Sequence, residues 1–237
     1  MCVTSEGADM TTSYSAVKAI APGSLLADRA YEELKAAILE NRLTPGTPLS
    51  VPALADRMSI SRSPVREAVQ KLIHDGLATH VPHRGAEVSS VDVEDLHQLY
   101  AVRESLEGLA ARLATERLDV AALTELERIL GEHEKVLAEG GGEGAHVRQD
   151  MRFHQAIRAL TGNRHLIDIL DQLQGRAHLG LHSLWRHPHA PRLALEEHRR
   201  IYEAMAAGDP DAAEHAARTH VSRLRVRLRQ ATGRTDP

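Results

Sequence analysis

The segment from Ser59 to Leu72 constrains the fold of this chain more than any other stretch. Its apolar residues Val65, Val69 and Leu72 follow one another at spacings of four and three. That spacing predicts an amphipathic helix with one buried face. Pro64 suits the first turn of this helix because it has no N–H group to leave without a partner.

Polar and cationic residues cluster at the N-terminal end of the same helix. Ser61 or Ser63 can cap its first amide groups, and Arg62, Ser63 and Arg66 lie away from the apolar face. A helix that enters the DNA major groove presents such positions to base edges and phosphates, which arginine can bind through two parallel hydrogen bonds. An ordinary surface helix with a few arginines is the alternative, and the neighbouring segments weigh against it.

The neighbouring segments predict a winged helix-turn-helix unit. Residues 25–41 and Val51–Met58 have helical patterns, and a tight turn joins the second to the helix just described. Asp75-Gly76 ends that helix, and residues 77–88 predict two short strands around a turn at residues 82–85. Three helices followed by a hairpin is the plan of a winged helix-turn-helix.

These motifs resemble the GntR family of bacterial transcription regulators over about residues 25–90. The residues that carry the resemblance are Leu43-Thr44-Pro45-Gly46-Thr47-Pro48-Leu49, Leu54-Ala55, Ser61-Arg62-Ser63-Pro64-Val65-Arg66-Glu67-Ala68, Asp75-Gly76-Leu77 and Arg84-Gly85-Ala86. The resemblance implies a double-stranded DNA operator as partner. Pro52 departs from the family pattern, where many members carry Glu or Arg, so no DNA contact is expected from that position.

Composition limits the possible classes of protein. The net charge of the 237 residues is −4, so DNA affinity has to come from a local patch. From Arg57 to Arg84 there are five basic and two acidic side chains, a net charge of +3. The single cysteine, Cys2, excludes a disulfide framework and fits a reducing cytoplasm. The sequence has no apolar run of the roughly 20 residues that a membrane span needs, and no signal pattern.

From Asp92 onward every long segment has a helical period, which predicts an all-α bundle of six antiparallel helices. The predicted helices are 93–118, 120–139, 145–160, 165–185, 193–207 and 211–231. The fold class is therefore mainly α. We predict a disordered arm over residues 1–22, a winged helix-turn-helix domain over 23–90 and a helical domain over 91–232.

Four residues in these helices form a possible metal-binding set. Asp150 and His154 lie four apart and project from one face of a helix. His198 and His220 are each flanked by apolar residues, so their imidazoles should turn inward. One carboxylate and three imidazoles suit zinc, nickel or a similar divalent ion.

Spacing alone does not select this set, because the chain has 15 histidines. His178 and His182 are also four apart, and His187 and His189 flank a proline. A buried histidine without a metal is the commoner case.

The second half of the chain resembles the FadR-type (FCD) ligand-binding domain of GntR regulators over about residues 92–230. The motifs that carry this resemblance are Asp150-Met151-Arg152-Phe153-His154, Thr161-Gly162-Asn163, Glu197-His198-Arg199, Gly208-Asp209 and His220. Members with this pattern hold a metal in their effector pocket. The resemblance therefore implies Asp150, His154, His198 and His220 as ligands of a divalent ion, with zinc preferred and nickel or manganese as alternatives. It leaves His178 and His182 as pocket-lining or surface residues.

Arg103 is the candidate anchor for an effector. It lies beside the apolar stripe of the first bundle helix and could point inward, where a guanidinium needs an anionic partner. Small organic acids are usual effectors in the family. The alternative is an arginine paired with Glu107 on a solvated face.

These observations predict a homodimeric, cytoplasmic regulator, with a repressor favoured, that responds to a small carboxylate. Ser61, Arg62, Ser63 and Arg66 would contact one groove of an inverted repeat, and the wing residues His83, Arg84 and Gly85 the adjacent groove. A metal-responsive regulator without an organic effector is one alternative. A metal-dependent hydrolase is disfavoured because the sequence shows no separate general base, nucleophile motif or phosphate loop.

Overall fold

A tight turn between two short helices organises the N-terminal part of the computed structural model, which describes residues 24–185 and 189–231. Helix α2 spans Val51–Met58, and helix α3 spans Arg62–His74. Ser59 ends α2 in the left-handed region, with φ of 56°, and its N–H donates to the carbonyl oxygen of Asp56 over 3.3 Å. This conformation turns the chain sharply enough for α3 to begin after the extended Ser61.

Helix α3 forms as its apolar period predicts, and its buried residues Val65, Val69 and Leu72 face helix α1, which spans Ser24–Leu39. Ser61 occupies the N-cap position, but its side chain makes no capping hydrogen bond. Ser63 does not cap the helix either, because its hydroxyl donates to Glu67 within the same helix. The predicted side-chain cap is therefore wrong.

The wing is a two-stranded antiparallel hairpin. Strands β1 (Ala78–Val81) and β2 (Gly85–Val88) pair in a register that places Ala78 opposite Val88. The turn between them needs two positive φ angles, 64° at His83 and 92° at Gly85. Backbone hydrogen bonds from Gly46 to Val88 and from Leu49 to Ala86 hold the segment before α2 along the hairpin.

Six helices follow the wing in the described part of the chain. They are α4 (Val93–Thr115), α5 (Val120–Ala138), α6 (Glu143–Leu160), α7 (Arg164–Trp185), α8 (Ala190–Ala206) and α9 (Pro210–Ala231). The Asp92 carboxylate caps α4 by accepting the N–H of Asp95 over 2.8 Å. The most extensive helix packing in the described part of the chain is between α4 and α9.

Several predicted boundaries move by a few residues. Helix α1 ends at Leu39 rather than residue 41, since Asn41 adopts the left-handed conformation. Helix α4 ends at Thr115, three residues early. Helix α8 begins at Ala190, inside the predicted loop 186–191. Residues 186–188 of that loop and the predicted arm at 1–22 lie outside the described residues.

One cluster of buried hydrophobic residues extends from the winged helix into the bundle. Leu72 of α3 and Leu77 before β1 belong to the same cluster of buried residues as Leu96 of α4 and Ala177 of α7. A second cluster lies within the bundle, around Leu126 and Phe153. The core therefore continues across the domain boundary predicted after residue 90.

Helix α4 buries a charged side chain and leaves apolar side chains exposed. Arg103 is buried at 1% exposure, whereas the adjacent Val102 is 50% exposed. Leu109 on the same helix is 39% exposed.

Among the described residues, no helix combines the length and apolar character that a membrane span requires.

Replacing Leu72 by Ala should lower the free energy of unfolding by about 2–5 kcal/mol, because Leu72 is completely buried and Ala leaves a cavity. Urea unfolding followed by circular dichroism measures the change. The matched control is Gln70→Ala on the exposed face of α3, which should change the unfolding free energy by less than about 0.5 kcal/mol. Equal effects of the two changes would contradict the assignment of the buried face.

Candidate functional site

The structure brings together four buried side chains from three helices of the bundle. Asp150 and His154 come from α6, His198 from α8 and His220 from α9. One nitrogen or carboxylate oxygen of each lies within 4.8 Å of the corresponding atoms of the other three. We call these four residues the cluster. Asp150 and His154 reach it together because residues four apart share one face of a helix.

The ring nitrogens of the cluster are available for a ligand. His198 has no hydrogen-bond partner at either ring nitrogen, and His220 has none at Nε2. Nitrogens buried without a partner are costly unless something else binds them. Opposite ligands of one ion with bonds of about 2.0–2.2 Å lie about 4.0–4.4 Å apart, so small shifts would bring these atoms around a single divalent ion. The residues therefore fit a metal.

The protonation states of the cluster also fit a metal. Burial would raise the pKa of Asp150, but the imidazoles of His178 and His198 beside its carboxylate hold that pKa well below its usual range. Burial lowers the pKa of His198 to about 3. Burial also lowers the pKa of His154, against the opposing effect of Glu107. At neutral pH the site thus holds a carboxylate with neutral imidazoles at His154 and His198, which are the forms that bind metals.

Three buried residues orient the cluster from outside, and the sequence analysis assigned this role to none of them. Glu197 accepts a hydrogen bond from Nδ1 of His220 over 2.8 Å. A carboxylate oxygen of Glu107 lies 3.5 Å from Nδ1 of His154. Nε2 of His178 lies 3.1 Å from Asp150 Oδ2. A partner at Nδ1 leaves Nε2 of the same ring directed at the centre of the cluster.

The other histidines that spacing alone could not exclude as metal ligands occupy different places. His178 contacts the cluster through Asp150. His189 lies at the exposed start of α8. The side chain of His182 and all of His187 lie outside the part of the chain that the structure describes.

A further pair of histidines adjoins the cluster and was missed by the sequence analysis. His133 of α5 and His146 of α6 are buried, and their facing ring nitrogens are 3.3 Å apart. The rings of His133 and His198 have centroids 6.4 Å apart. Burial lowers the pKa of His133 to about 4 and also lowers the pKa of His146, so the neutral form of both dominates at pH 7.

Arg103 belongs to a buried ionic network beside the cluster. Its Nη2 donates to Oε1 of Glu107 over 2.8 Å, and both side chains are almost fully buried. The pairing with Glu107 weighed in the sequence analysis therefore exists, but on a buried rather than a solvated face. Arg158, also fully buried, donates to the same oxygen of Glu107. Two guanidinium groups thus share one buried carboxylate, and Arg158 also contacts the half-exposed Asp171 at 3.1 Å.

The predicted DNA-contacting residues lie at two exposed places. The first is the N-terminal end of α3 and the residue before it, and the second is the tip of the hairpin. The exposed residues are Ser61, Arg62, Ser63 and Arg66 at the first place and His83, Arg84 and Gly85 at the second. Pro52 is exposed in the first turn of α2.

Comparison with known proteins identifies both halves of the chain. The family model "Bacterial regulatory proteins, gntR family" matches residues 26–88, and the model "FCD domain" matches residues 98–223. The HTH-type transcriptional regulator YdhC of Bacillus subtilis is 31% identical over 190 residues, which are 80% of this chain and 85% of that protein. The HTH-type transcriptional repressor RspR of Escherichia coli is 27% identical, over 84% of this chain and 87% of its own length.

A solved structure has the same fold. The structure of McbR/YncC from E. coli superimposes with a TM-score of 0.76 and 26% identity. It covers 86% of this chain and 97% of its own. These matches are to DNA-binding transcriptional regulators and not to enzymes.

Changing His220 to Ala should abolish tight zinc binding by the folded chain, since it removes one of four converging ligand groups. Competition with a chromophoric chelator measures the affinity. The matched control is His215→Ala, an exposed histidine on the same helix, which should leave zinc affinity unchanged. Equal affinities of the two variants would contradict the assignment of His220 as a ligand.

Changing Glu197 to Gln should weaken zinc binding by about 10- to 100-fold, the usual effect of altering a group that orients a metal-binding histidine. The amide keeps the shape of the side chain but loses the charge that His220 Nδ1 faces. The same chelator competition measures it. An unchanged affinity would show that Glu197 serves only its ion pairs with Arg223 and Arg227.

Proposed function

Because the chain belongs to the GntR family of bacterial regulatory proteins and carries an FCD domain, we propose that this transcriptional regulator is a repressor controlled by a small carboxylate bound beside a divalent metal. The observation that carries the proposal is the buried cluster of Asp150, His154, His198 and His220 beside the buried Arg103. The relative RspR is named a transcriptional repressor, which supports repression rather than activation.

DNA recognition is assigned to the two exposed places on the winged helix. Arg62 and Arg66 would contact bases or phosphates, and Ser61 and Ser63 phosphates. At the wing, His83, Arg84 and Gly85 would reach the adjacent groove. Both places are exposed, which is the accessibility that such contacts need.

Two copies of the chain would read an inverted repeat, so we propose a homodimer acting on cytoplasmic DNA. Val102 and Leu109 give α4 an exposed apolar surface in the single chain. Such a surface is more stable when another chain covers it. A dimer would also carry two copies of the positively charged patch between Arg57 and Arg84.

The donor set favours zinc, with nickel or manganese as alternatives, because three of its four groups are imidazoles. A divalent ion held there would supply a Lewis acid for a carboxylate oxygen of the effector. The chain would supply the second anchor, since Nε of the buried Arg103 has no hydrogen-bond partner although its Nη2 donates to Glu107. A buried donor without a partner favours a ligand whose oxygen accepts its hydrogen bond.

Control of DNA binding requires the effector to have different affinities for two arrangements of the DNA-reading heads. A regulator that senses the metal alone differs in one observable. For that regulator, the metal by itself would change operator affinity without any organic acid.

Fluorescence anisotropy on labelled DNA from upstream of the protein's own gene tests the proposal. A scrambled duplex at the same salt concentration is the reference, since electrostatic attraction alone binds both. A preference for the native segment supports a sequence-specific regulator, and added organic acids or a chelator then distinguish the two modes of control. Equal binding to both duplexes would contradict specific recognition of that segment.

Changing Arg62 or Arg66 to Ala should abolish this preference and cost about 1–3 kcal/mol of specific binding if the residue reads a base. A residue that contacts only a phosphate should instead lower the salt dependence by about one unit. Arg192→Ala removes the same charge from the exposed surface of α8 and serves as the control. Protection of the same segment at unchanged affinity and salt would refute the assigned recognition helix.

A further inference from the structure

Helix α7 contacts both the cluster and the end of the recognition helix within a single helical turn. His178 of α7 contacts Asp150, and Gly175, three residues earlier, contacts the segment just after α3. Residues three apart lie on neighbouring positions of one helix surface. We infer that α7 transmits the state of the metal cluster to the C-terminal end of α3. This inference rests on the proposed metal site.

The contact between α7 and the recognition unit is made by backbone at close range. A Cβ atom added to Gly175 would lie 2.7 Å from the carbonyl oxygen of Asp75 and 3.1 Å from Cγ of Leu77. Asp75 is the C-cap residue of α3, and Leu77 leads into strand β1. The carbonyl oxygen of Asp75 belongs to the backbone and cannot rotate away as a side chain can. A shift of α7 therefore has to move the end of α3.

The same junction is reinforced from the other side. Gly76 has φ of +70°, and a Cβ atom there would lie 2.7 Å from Cγ of Arg176. Arg176 in turn pairs with Asp95 at the start of α4. The turn after α3 is therefore held between Gly175 and the side chain of Arg176. It has little freedom to move independently of α7.

At the cluster, His178 joins the carboxylate of Asp150 to the backbone of α7. Its Nε2 lies 3.1 Å from Asp150 Oδ2, and its Nδ1 lies 2.9 Å from the carbonyl oxygen of Gln174. The second carboxylate oxygen, Oδ1, faces His198 at 3.4 Å. An ion bound by Asp150 would set the orientation of this carboxylate, and His178 would pass that orientation to the turn of α7 that contains Gly175.

A competing route through α6 is weaker. Helix α6 also carries Asp150, and its Arg148 pairs with Glu40 just after α1. Both side chains of that pair are partly exposed, at 49% and 30%. Exposed ion pairs contribute little and are screened by salt, so this contact transmits less than a backbone junction.

Hydrogen exchange on the full-length chain, with zinc or with a chelator, tests the inference. The amide of Leu77 donates to the carbonyl of Leu72, and the amide of Ser89 donates to the carbonyl of Leu77, so both report on this turn. In the unmodified chain we expect zinc to change their exchange rates by about 5- to 150-fold, the usual range of coupling between two sites.

Gly175→Ala should keep zinc binding but lose this zinc-dependent change, because the added methyl group displaces the end of α3. Gly131→Ala is the matched control. Gly131 also lies within a helix, but no atom comes within 4 Å of its added Cβ, so the zinc response should be retained. Arg148→Ala should retain it as well, which separates α7 from the route through α6.

His178→Asn is a second variant, useful if Gly175→Ala fails to fold. Asn can still donate near the position of Nδ1 but loses the contact with Asp150. Zinc should therefore bind about 10- to 100-fold more weakly, and at saturating zinc it should no longer change exchange at Leu77. If zinc binds the unmodified chain and leaves Leu77 and Ser89 unchanged, the inference is wrong and the metal proposal stands. Retention of the response in either variant, with zinc bound, also overturns it. If zinc, nickel and manganese all fail to bind, both the inference and the metal proposal are wrong.

Discussion

The arrangement of the bundle depends on two carboxylates that are buried within it and contact side chains on other helices. Asp150 is 4% exposed and Glu107 is 3% exposed, and the pKa of each carboxyl is held well below its usual range. A buried charge is tolerated only with partners in good geometry, and removing one partner costs several kcal/mol. Asp150 faces the imidazoles of His178 on α7 and His198 on α8, and Glu107 pairs with the guanidinium of Arg158 on α6. The contacts that these buried carboxylates require therefore help to set how the helices cross.

Two glycines in α7 allow this helix to lie close to the winged helix and to α4. Gly175 permits α7 to touch the backbone after α3, and a Cβ atom on Gly180 would lie 2.3 Å from the side chain of Leu96 on α4. The hydrophobic core is shared across this junction. The buried cluster and helix α3 are therefore parts of one packed structure, and a change at one has a physical route to the other.

Features that depend on neighbours along the chain could be predicted from the sequence. The apolar period of α3, the N-cap at Asp92 and the shared face of Asp150 and His154 all follow from spacings of three or four residues. The predicted winged helix and helical C-terminal half are confirmed by the fold and by the matching family models. The absence of a capping bond from Ser61 shows that even local chemistry leaves the side-chain geometry open.

Features that depend on distant parts of the chain were decided only by tertiary structure. The sequence by itself determined which helices form and which histidines their faces carry, since these properties arise within a few turns. It did not determine that Arg103 turns inward while Val102 stays half-exposed, or that Glu107 and Glu197 stand behind His154 and His220. Those outcomes depend on how α4, α6, α8 and α9 cross. The partners are 23 to 51 residues apart in sequence, as with His220 and Glu197 or Arg158 and Glu107, and only the crossing brings them together.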